Sequence, residues 1–535
     1  MKRMLLLGDE AIAQGALDAG LSGVYAYPGT PSTEITEYIQ RSNTARERNV
    51  HSDWSANEKT AMEAALGMSY AGKRAMACMK HVGLNVAADG FVNAGITGAN
   101  GGLIVLVADD PSMHSSQNEQ DSRYYGKFAL IPVIEPANQQ ETYEAAWYGF
   151  EMSEKYGTPV MVRVTTRLAH SRAGVELKEA IAENELTLPA DKRQFVLLPS
   201  IARRNYQTLL GKQAAFEEES EKSPFNAYIE GEDTSLGIIA CGIGYNYLME
   251  NYPDGCPNPI VKVGQYPAPR NMIKRLLDEC DRVLILEEGA PFLEEQLRGL
   301  MDASFNISGR LDGTVPRAGE LNPNIVAASL GKSIQVTEAK SDIVMPRPPE
   351  LCTGCPHIDS YNALNVALAE LEPGRVFSDI GCYTLGALEP FNAINSCVDM
   401  GASITMAKGA ADAGLFPAVA VIGDSTFTHS GMTGLLDAII EDSPITVMIV
   451  DNETTGMTGG QTSSARGKLE DICKGLGVPE DHIRVVEPLK KNHEDNVAMI
   501  KEELFHKGVS VIIERRECIQ TAVLSKKLAK EAAKK

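Results

Sequence analysis

Long apolar runs are missing from this chain, and their absence excludes a membrane-spanning helix. The stretch Leu103–Ala108 stops at Asp109-Asp110, far short of the ~18 residues that a span needs. The N-terminus, MKRMLLLGDE, sets two cations before only four apolar residues, so the core of a signal peptide is missing too. Positive charge is scarce: 50 Lys and Arg stand against 71 Asp and Glu, for a net charge of −21. Such a balance repels phosphate backbones and excludes general nucleic-acid binding. It does not exclude small anions, which local dipoles can hold. Cysteine is sparse, ten in 535 residues, which excludes a disulfide framework. In a reducing compartment clustered cysteines point instead to metal or redox chemistry. The expectation is a soluble cytoplasmic protein with no membrane and no nucleic-acid partner.

With 44% hydrophobic and 23% charged residues, the composition is that of an ordinary globular protein, and the length suits about three or four domains. Residues 1–175 alternate β-rich runs (VYAYPG, LIVLVADD, PVMVRV) with helical stretches at Ala56–Tyr70 and Gln139–Lys155. That alternation predicts a parallel α/β sheet. Residues 176–232 are charged and irregular and read as a linker with some helix. A second α/β unit, 233–345, opens with SLGIIACGIGYNYLMEN and includes the strand VLILEEG. Pro346, Pro348 and Pro349 mark its end. Residues 346–535 repeat the doubly wound pattern through RVFSDIG, AVAVIGDS, ITVMIVDN and SVIIERR. The basic tail KKLAKEAAKK reads as a frayed terminal helix.

The sharpest motif lies in that last region. Gly423-Asp424-Ser425 follows one strand, Asn452 follows the next, and 26 residues separate Ser425 from Asn452. An Asp and an Asn thus reach the carboxyl edge of a parallel sheet, where open α/β sheets bind ligands. Mg²⁺ takes oxygen ligands and shares phosphate oxygens. The small residues 423 and 425 let a diphosphate approach backbone and a helix N-terminus. A second motif is Cys352-Thr353-Gly354-Cys355, with Cys382 and Cys518 further on. Four thiolates suit a [4Fe–4S] cluster or zinc, and the spacing alone does not choose.

GDS followed by this gap and an Asn resembles the thiamine-diphosphate motif, with Ser425 in place of the second Gly. By that resemblance Asp424 and the Asn452 side chain hold Mg²⁺, and Thr454 offers its carbonyl. Thiamine enzymes set a carboxylic acid against N1′ of the aminopyrimidine to promote its imino tautomer. Glu58, opening an Ala-rich helix, resembles that acid in its setting, with Glu63 as competitor. The run from Asn452 through Gly459 and Gln461 (DNETTGMTGGQTS), together with Tyr27–Ser32 (YPGTPS), resembles the 2-oxoacid:ferredoxin oxidoreductase family. The resemblance makes Thr30 the substrate-contact candidate, with Ser32 second. Lys80 and His81 follow a strand and bring a cation and an imidazole to a sheet end, and the segment 112–123 is dense in side-chain donors and acceptors, so both fit an active-site loop.

In that family a CxGC pair, a Cys after the next strand and one near the domain end hold a cluster beside the thiamine. The resemblance therefore implies one [4Fe–4S] cluster on Cys352, Cys355, Cys382 and Cys518, with Cys397 as the spare. CxGCPH, DIGCY, MGASI and GDSTFTHSG together most resemble the large α subunits of the family's indolepyruvate branch. The implied fold is two doubly wound thiamine-diphosphate domains flanking a transketolase-C-like α/β domain. The implied reaction is oxidative decarboxylation of an aryl 2-oxo acid. Coenzyme A takes the acyl group, and electrons pass to ferredoxin or a similar acceptor. A small γ or β subunit would complete a heterodimer or an (αβ)₂ assembly. The branch's usual C-terminal ferredoxin-like segment, with two further cysteine runs, is not in this sequence, so a partner or external acceptor is expected to replace it. Two other readings remain open: a non-oxidative thiamine-dependent decarboxylase, which needs no cysteine set, and a non-catalytic thiamine-binding scaffold.

Overall fold

The computed structural model describes residues 3–299, 306–334, 343–345 and 349–532. The proline run at 346–348, where the sequence sets a boundary, and the last three tail residues lie outside the described residues. The chain divides into two compact units, Met1–Glu338 and Ala339–Lys535.

The first unit carries a six-stranded sheet in the order Gln265–Tyr266, Val133–Ile134, Val160–Thr165, Leu103–Asp109, Ala75–Lys80, Gly23–Ala26. All neighbours are parallel except the first pair. Period-2 geometry explains why its strands are apolar throughout: alternate side chains enter opposite layers. Ile104, Leu106 and Ala108 join Ile12, Leu17, Tyr143 and Phe150 on one face. Leu103, Val105 and Val107 join Met62, Leu84 and Phe91 on the other. Each fully buried Leu, Val or Phe contributes about 1.5–3 kcal/mol. The helices that cover the sheet include Gly8–Asp18 and Gln139–Tyr156 on one face, and Glu58–Tyr70 and His81–Thr97 on the other.

A five-stranded sheet follows in the same unit, in the order Ile307–Ser308, Val283–Leu286, Gly237–Cys241, Ile260–Val263, Ala227–Ile229. The segment read as a linker with some helix holds a 23-residue helix, Pro199–Glu221. Its apolar stripe is thin: Leu209 and Phe216 are its buried hydrophobics, and Phe216 sets its ring edge-on to Tyr156, 5.4 Å between centroids. A helix anchored by so few apolar residues gives a weak periodic signal.

The strand Gln265–Tyr266 leaves the middle region and pairs with Val133–Ile134 of the first sheet. The two sheets are therefore stitched into one unit. A buried charge network reinforces the seam. Arg163 Nε donates to Asp109 at 2.6 Å, Nη1 pairs with Glu135, and Nη2 donates to the Glu288 carbonyl at 2.9 Å. Arg123 pairs with Asp121 at 2.5 Å and with Glu287 at 3.0 Å, and donates to Tyr266 Oη at 3.1 Å. Both arginines are fully buried. They hold the Asp121 carboxyl down at about 2 against the opposing effect of burial. Burial drives Asp109, Glu287 and Glu288 upward.

The second unit carries a five-stranded, all-parallel sheet in the order Val376–Ser378, Ala418–Gly423, Ile445–Asp451, Ser510–Arg515, Ile483–Val486. Ala418, Ala420 and Ile422 face one layer, and Val419 and Val421 the other. Among the described residues no helix is long and apolar enough to cross a membrane.

Removing one partner of a buried ion network strands the others. Arg163→Met is expected to destabilise the first unit by about 3–5 kcal/mol, measured as a drop in its denaturant midpoint. A loss below about 1 kcal/mol, no more than an exposed pair contributes, contradicts this role.

Candidate active site

In the first unit the candidates gather where Gly23–Ala26, Ala75–Lys80 and Leu103–Asp109 end. Glu58 is the first residue of its helix, whose N-cap, Asn57, accepts the Thr60 N–H at 2.9 Å. The Glu58 side chain is buried and lies on Gly83, in the first turn of His81–Thr97. A Cβ at position 83 would stand 2.5 Å from Glu58 Oε1. Glu63 is exposed and pairs with Lys59, so the structure sets it apart from this cluster.

His81 is buried, and its Nε2 lies 3.2 Å from the Asn118 carbonyl. A carbonyl only accepts, so Nε2 donates to it. The ring's Nδ1 is buried with no hydrogen-bond partner. Lys80 donates to the Ser115 carbonyl at 2.9 Å and its hydroxyl at 3.0 Å, and Asp110 lies 3.9 Å away. Burial pulls the Lys80 ammonium down to about 8, with Asp110 opposing. Ser115 Oγ also reaches the Thr30 carbonyl at 3.5 Å. The Thr30 loop is braced by Ser32 Oγ donating to the Gly29 carbonyl at 2.8 Å and by Gly29 N–H donating to Thr33 Oγ1 at 3.0 Å. Glu58, Gly83, Lys80 and His81 thus form one cluster at the start of a single helix. The 112–123 loop brings Thr30 to it through Ser115.

In the second unit, Gly423 pairs with Val450 in register, so Asp424 and Asn452 leave adjacent strands at the same edge. Asp424 is buried, and its Oδ2 has no hydrogen-bond partner. Burial pushes its carboxyl up to about 7, because a desolvated carboxylate is disfavoured. Asn452 Oδ1 accepts the Thr454 N–H at 3.2 Å. Ser425 Oγ and Thr455 Oγ1 are 2.9 Å apart. Thr454 Oγ1 donates to the Gln461 carbonyl at 3.0 Å, and Gln461 Nε2 donates to the Thr458 carbonyl at 2.8 Å. Gly459, in the left-handed region at φ 118°, turns the chain between the short strands Thr454–Thr455 and Gln461–Thr462. The donor set fits Mg²⁺, and the small-residue edge fits a diphosphate.

The four cysteines of the sequence pattern are electrostatic neighbours. Burial pushes Cys382 up to about 12, and Cys355, Cys518 and Cys352 add to the rise. Burial pushes Cys355 up to about 11, with Cys352 and Cys518 again contributing. Cys397 feels Thr384 and Asp379 instead. Cys355 N–H donates to the Cys352 carbonyl at 2.9 Å, and Cys518 N–H to the Asn452 carbonyl at 3.1 Å. A Cβ on Gly456 would stand 2.9 Å from Cys382 Sγ, so the cysteine group adjoins the segment that follows Asn452. In a zinc tetrahedron the sulfurs sit about 3.8 Å apart, as Zn–S bonds of ~2.3 Å require. Among the described residues the cysteines do not form a set with all ligand atoms within 4.8 Å.

Residues 14–221 match the family model for the thiamine-diphosphate-binding region of pyruvate flavodoxin/ferredoxin oxidoreductase. Residues 379–513 match that for the C-terminal TPP-binding domain of thiamine pyrophosphate enzymes. The indolepyruvate oxidoreductase subunit IorA of Archaeoglobus fulgidus is 39% identical, over 97% of this chain and 86% of its own. That of Pyrococcus horikoshii is 40% identical over the same shares. This chain belongs to the indolepyruvate oxidoreductase IorA family. A 2-oxoglutarate:ferredoxin oxidoreductase from Magnetococcus marinus, solved with 2-oxoglutarate, coenzyme A and succinyl-CoA, shares the fold. Its TM-score is 0.50 at 17% identity, over 62% of this chain and 65% of that one.

Two residues of this IorA-family chain escape sequence reasoning. His357 is buried, burial lowers it to about 4, and its Nε2 lies 3.3 Å from Asn452 Nδ2. The neutral ring accepts that N–H and fixes which end of the Asn452 amide is oxygen. The cue was present in CxGCPH, but the contact spans 95 positions. Asp379 accepts from Ser403 Oγ at 2.6 Å and from the Gly401 and Ser403 N–H groups, both at 3.2 Å. It braces the start of Ala402–Asp412.

Gly83→Ala is a favourable change for a helix, yet its methyl group would displace the Glu58 carboxyl. Turnover is expected to fall about 100-fold, as a 1 Å misplacement can cause, with thiamine binding retained. Steady-state rates and bound thiamine measured together check this; wild-type turnover would remove Glu58 from the site.

Proposed function

We propose that this IorA-family chain is the catalytic α subunit that oxidatively decarboxylates aryl 2-oxo acids of the indolepyruvate type. Coenzyme A is the acyl acceptor, and electrons pass to ferredoxin or a similar carrier through a small partner subunit. The observation that carries the oxidative reading is the four-cysteine group on the segment that follows Asn452. A non-oxidative decarboxylase has no use for it.

Thiamine diphosphate supplies an electron sink for breaking the bond to CO₂, and a [4Fe–4S] cluster supplies one-electron oxidation. Everything else falls to the chain's own residues. Asp424, Asn452 and the Thr454 carbonyl would hold Mg²⁺, with His357 fixing the amide of Asn452. Gly423 and Ser425 leave room for the diphosphate, while Gly459 and Gln461 shape the turn beside it. Glu58 would hold a proton for N1′ of the aminopyrimidine. His81 Nδ1, shielded from water, would act as a proton acceptor. Thr30 and the Lys80 ammonium would receive the substrate carboxylate. Cys352, Cys355, Cys382 and Cys518 would carry the cluster.

Iron analysis of anaerobically purified protein tests the central assignment. The wild type should hold about four irons per chain, as one cubane requires. Cys518→Ser should lose the iron and acceptor reduction but keep thiamine, whereas Cys397→Ser should keep all three. Zinc in place of iron would favour the non-oxidative decarboxylase, and absence of turnover with every partner present would favour the scaffold.

A pH profile tests Lys80. Its charge is present below about 8 and lost above, so a carboxylate substrate should bind less tightly as pH rises through that value. KM for the 2-oxo acid is expected to climb between pH 7 and 9, while Lys80→Met gives a high KM with no such rise. Parallel profiles for the two proteins would exclude Lys80 from substrate binding.

A further inference from the structure

Asp9 is the outlier among the buried acids of the first unit. It lies in the first turn of Gly8–Asp18, is fully buried, and neither carboxylate oxygen has a hydrogen-bond partner. The charged neighbours acting on it are Glu34 and Glu10, both acids. Glu10 is already engaged, its Oε2 accepting the Leu7 N–H at 2.9 Å. Glu34, in the first turn of Thr33–Arg41, is half-buried, and its Oε2 also lacks a hydrogen-bond partner. His170, the last residue of Thr166–His170, brings Nε2 to 3.7 Å from that oxygen. One ligand atom from each of Asp9, Glu34 and His170 lies within 4.8 Å of the other two. Among the described residues no other group of three potential ligands is so close.

We propose that Asp9, Glu34 and His170 form a divalent-cation site of the Zn²⁺ class, with water completing the coordination. Two carboxylates and an imidazole are a normal three-residue donor set for such an ion. Ligand atoms around a four-coordinate ion with bonds of ~2.1 Å stand about 3.4 Å apart. The His170–Glu34 pair, at 3.7 Å, is already near that spacing. Both side chains are partly open to solvent, at 35% and 38% exposure, so they provide the entry path and can move inward onto Asp9. A cation answers what the fold leaves unanswered: a buried carboxylate surrounded by acids and without a donor. None of its three residues is among the candidate thiamine or cysteine ligands. It would clamp the start of Thr33–Arg41, directly after the Thr30 loop, to Gly8–Asp18.

The test uses full-length protein, purified anaerobically and passed through a chelator before titration with Zn²⁺. Calorimetry should give the wild type one equivalent more than either Asp9→Asn or His170→Ala. The affinity at that site should fall at least about 100-fold in each variant, since losing even a supporting residue costs 10–100-fold. Iron content and thiamine binding should match in all three proteins, which separates this site from the catalytic one. Should Asp9→Asn fail to fold, His170→Ala, on a partly exposed residue, still decides the matter. Equal zinc uptake by wild type and His170→Ala would overturn the proposal. So would a rise in melting temperature for Asp9→Asn with zinc uptake unchanged, which would identify a protonated carboxyl pair instead.

Discussion

Two buried arginines bear on almost everything in the first unit. Arg163 rises from the centre of the six-stranded sheet and Arg123 closes the polar loop 112–123. Between them they engage Asp109, Asp121, Glu135 and Glu287, together with the Glu288 carbonyl. Glu287 and Glu288 follow a strand of the second sheet, so the network spans the seam between the sheets. Apolar packing would hold these layers at lower desolvation cost. What the charges add is direction: fixed forks dictate where the loop begins and ends. Ser115 and Asn118, which touch Lys80, Thr30 and His81, lie on that loop. The positions of the candidate catalytic groups therefore follow from a network that touches no substrate.

In the second unit Asp424 Oδ2 and both Glu514 carboxylate oxygens are buried without a hydrogen-bond partner. Asp424 is raised to about 7 by burial, in a fold whose other acids mostly find arginines. A cation in place of the proton would relieve that burial cost. His357 and the Thr454 N–H orient Asn452 from opposite ends of its amide. Cys518 N–H, on the backbone oxygen of Asn452, ties the cysteine group to the same residue.

Under the proposed function, the cysteine group is what would suit the site to redox chemistry. Burial raises the Cys355 and Cys382 thiols, and the neighbouring cysteines add to the rise. Iron would take the protons' place and draw the thiolates together. Gly456, against Cys382 Sγ, leaves no room for a side chain between this group and the segment that follows Asn452.

The main strands and several site residues were legible in the sequence, because local pattern determines them. Apolar runs such as LIVLVA and AVAVIG must be strands buried on both faces, and small-residue turns after them must lie at a sheet's carboxyl edge. GDS and Asn452 stood out by their spacing, whereas the spacing of the CxGC pair alone did not choose between a cluster and zinc. Pairings between distant residues were not legible. The helix 199–221 buries too few apolar groups to announce itself. His357 and Asn452 meet across 95 positions. Arg163 looks like one charge inside a hydrophobic strand until Asp109 and Glu135 arrive beside it. Sequence determined which residues could do the chemistry and which segments would be strands. Tertiary structure decided which acids would be paired, which would be left without a partner, and which of two glutamates would face inward. Burial and neighbouring charge set those outcomes, and neither exists until the chain has folded.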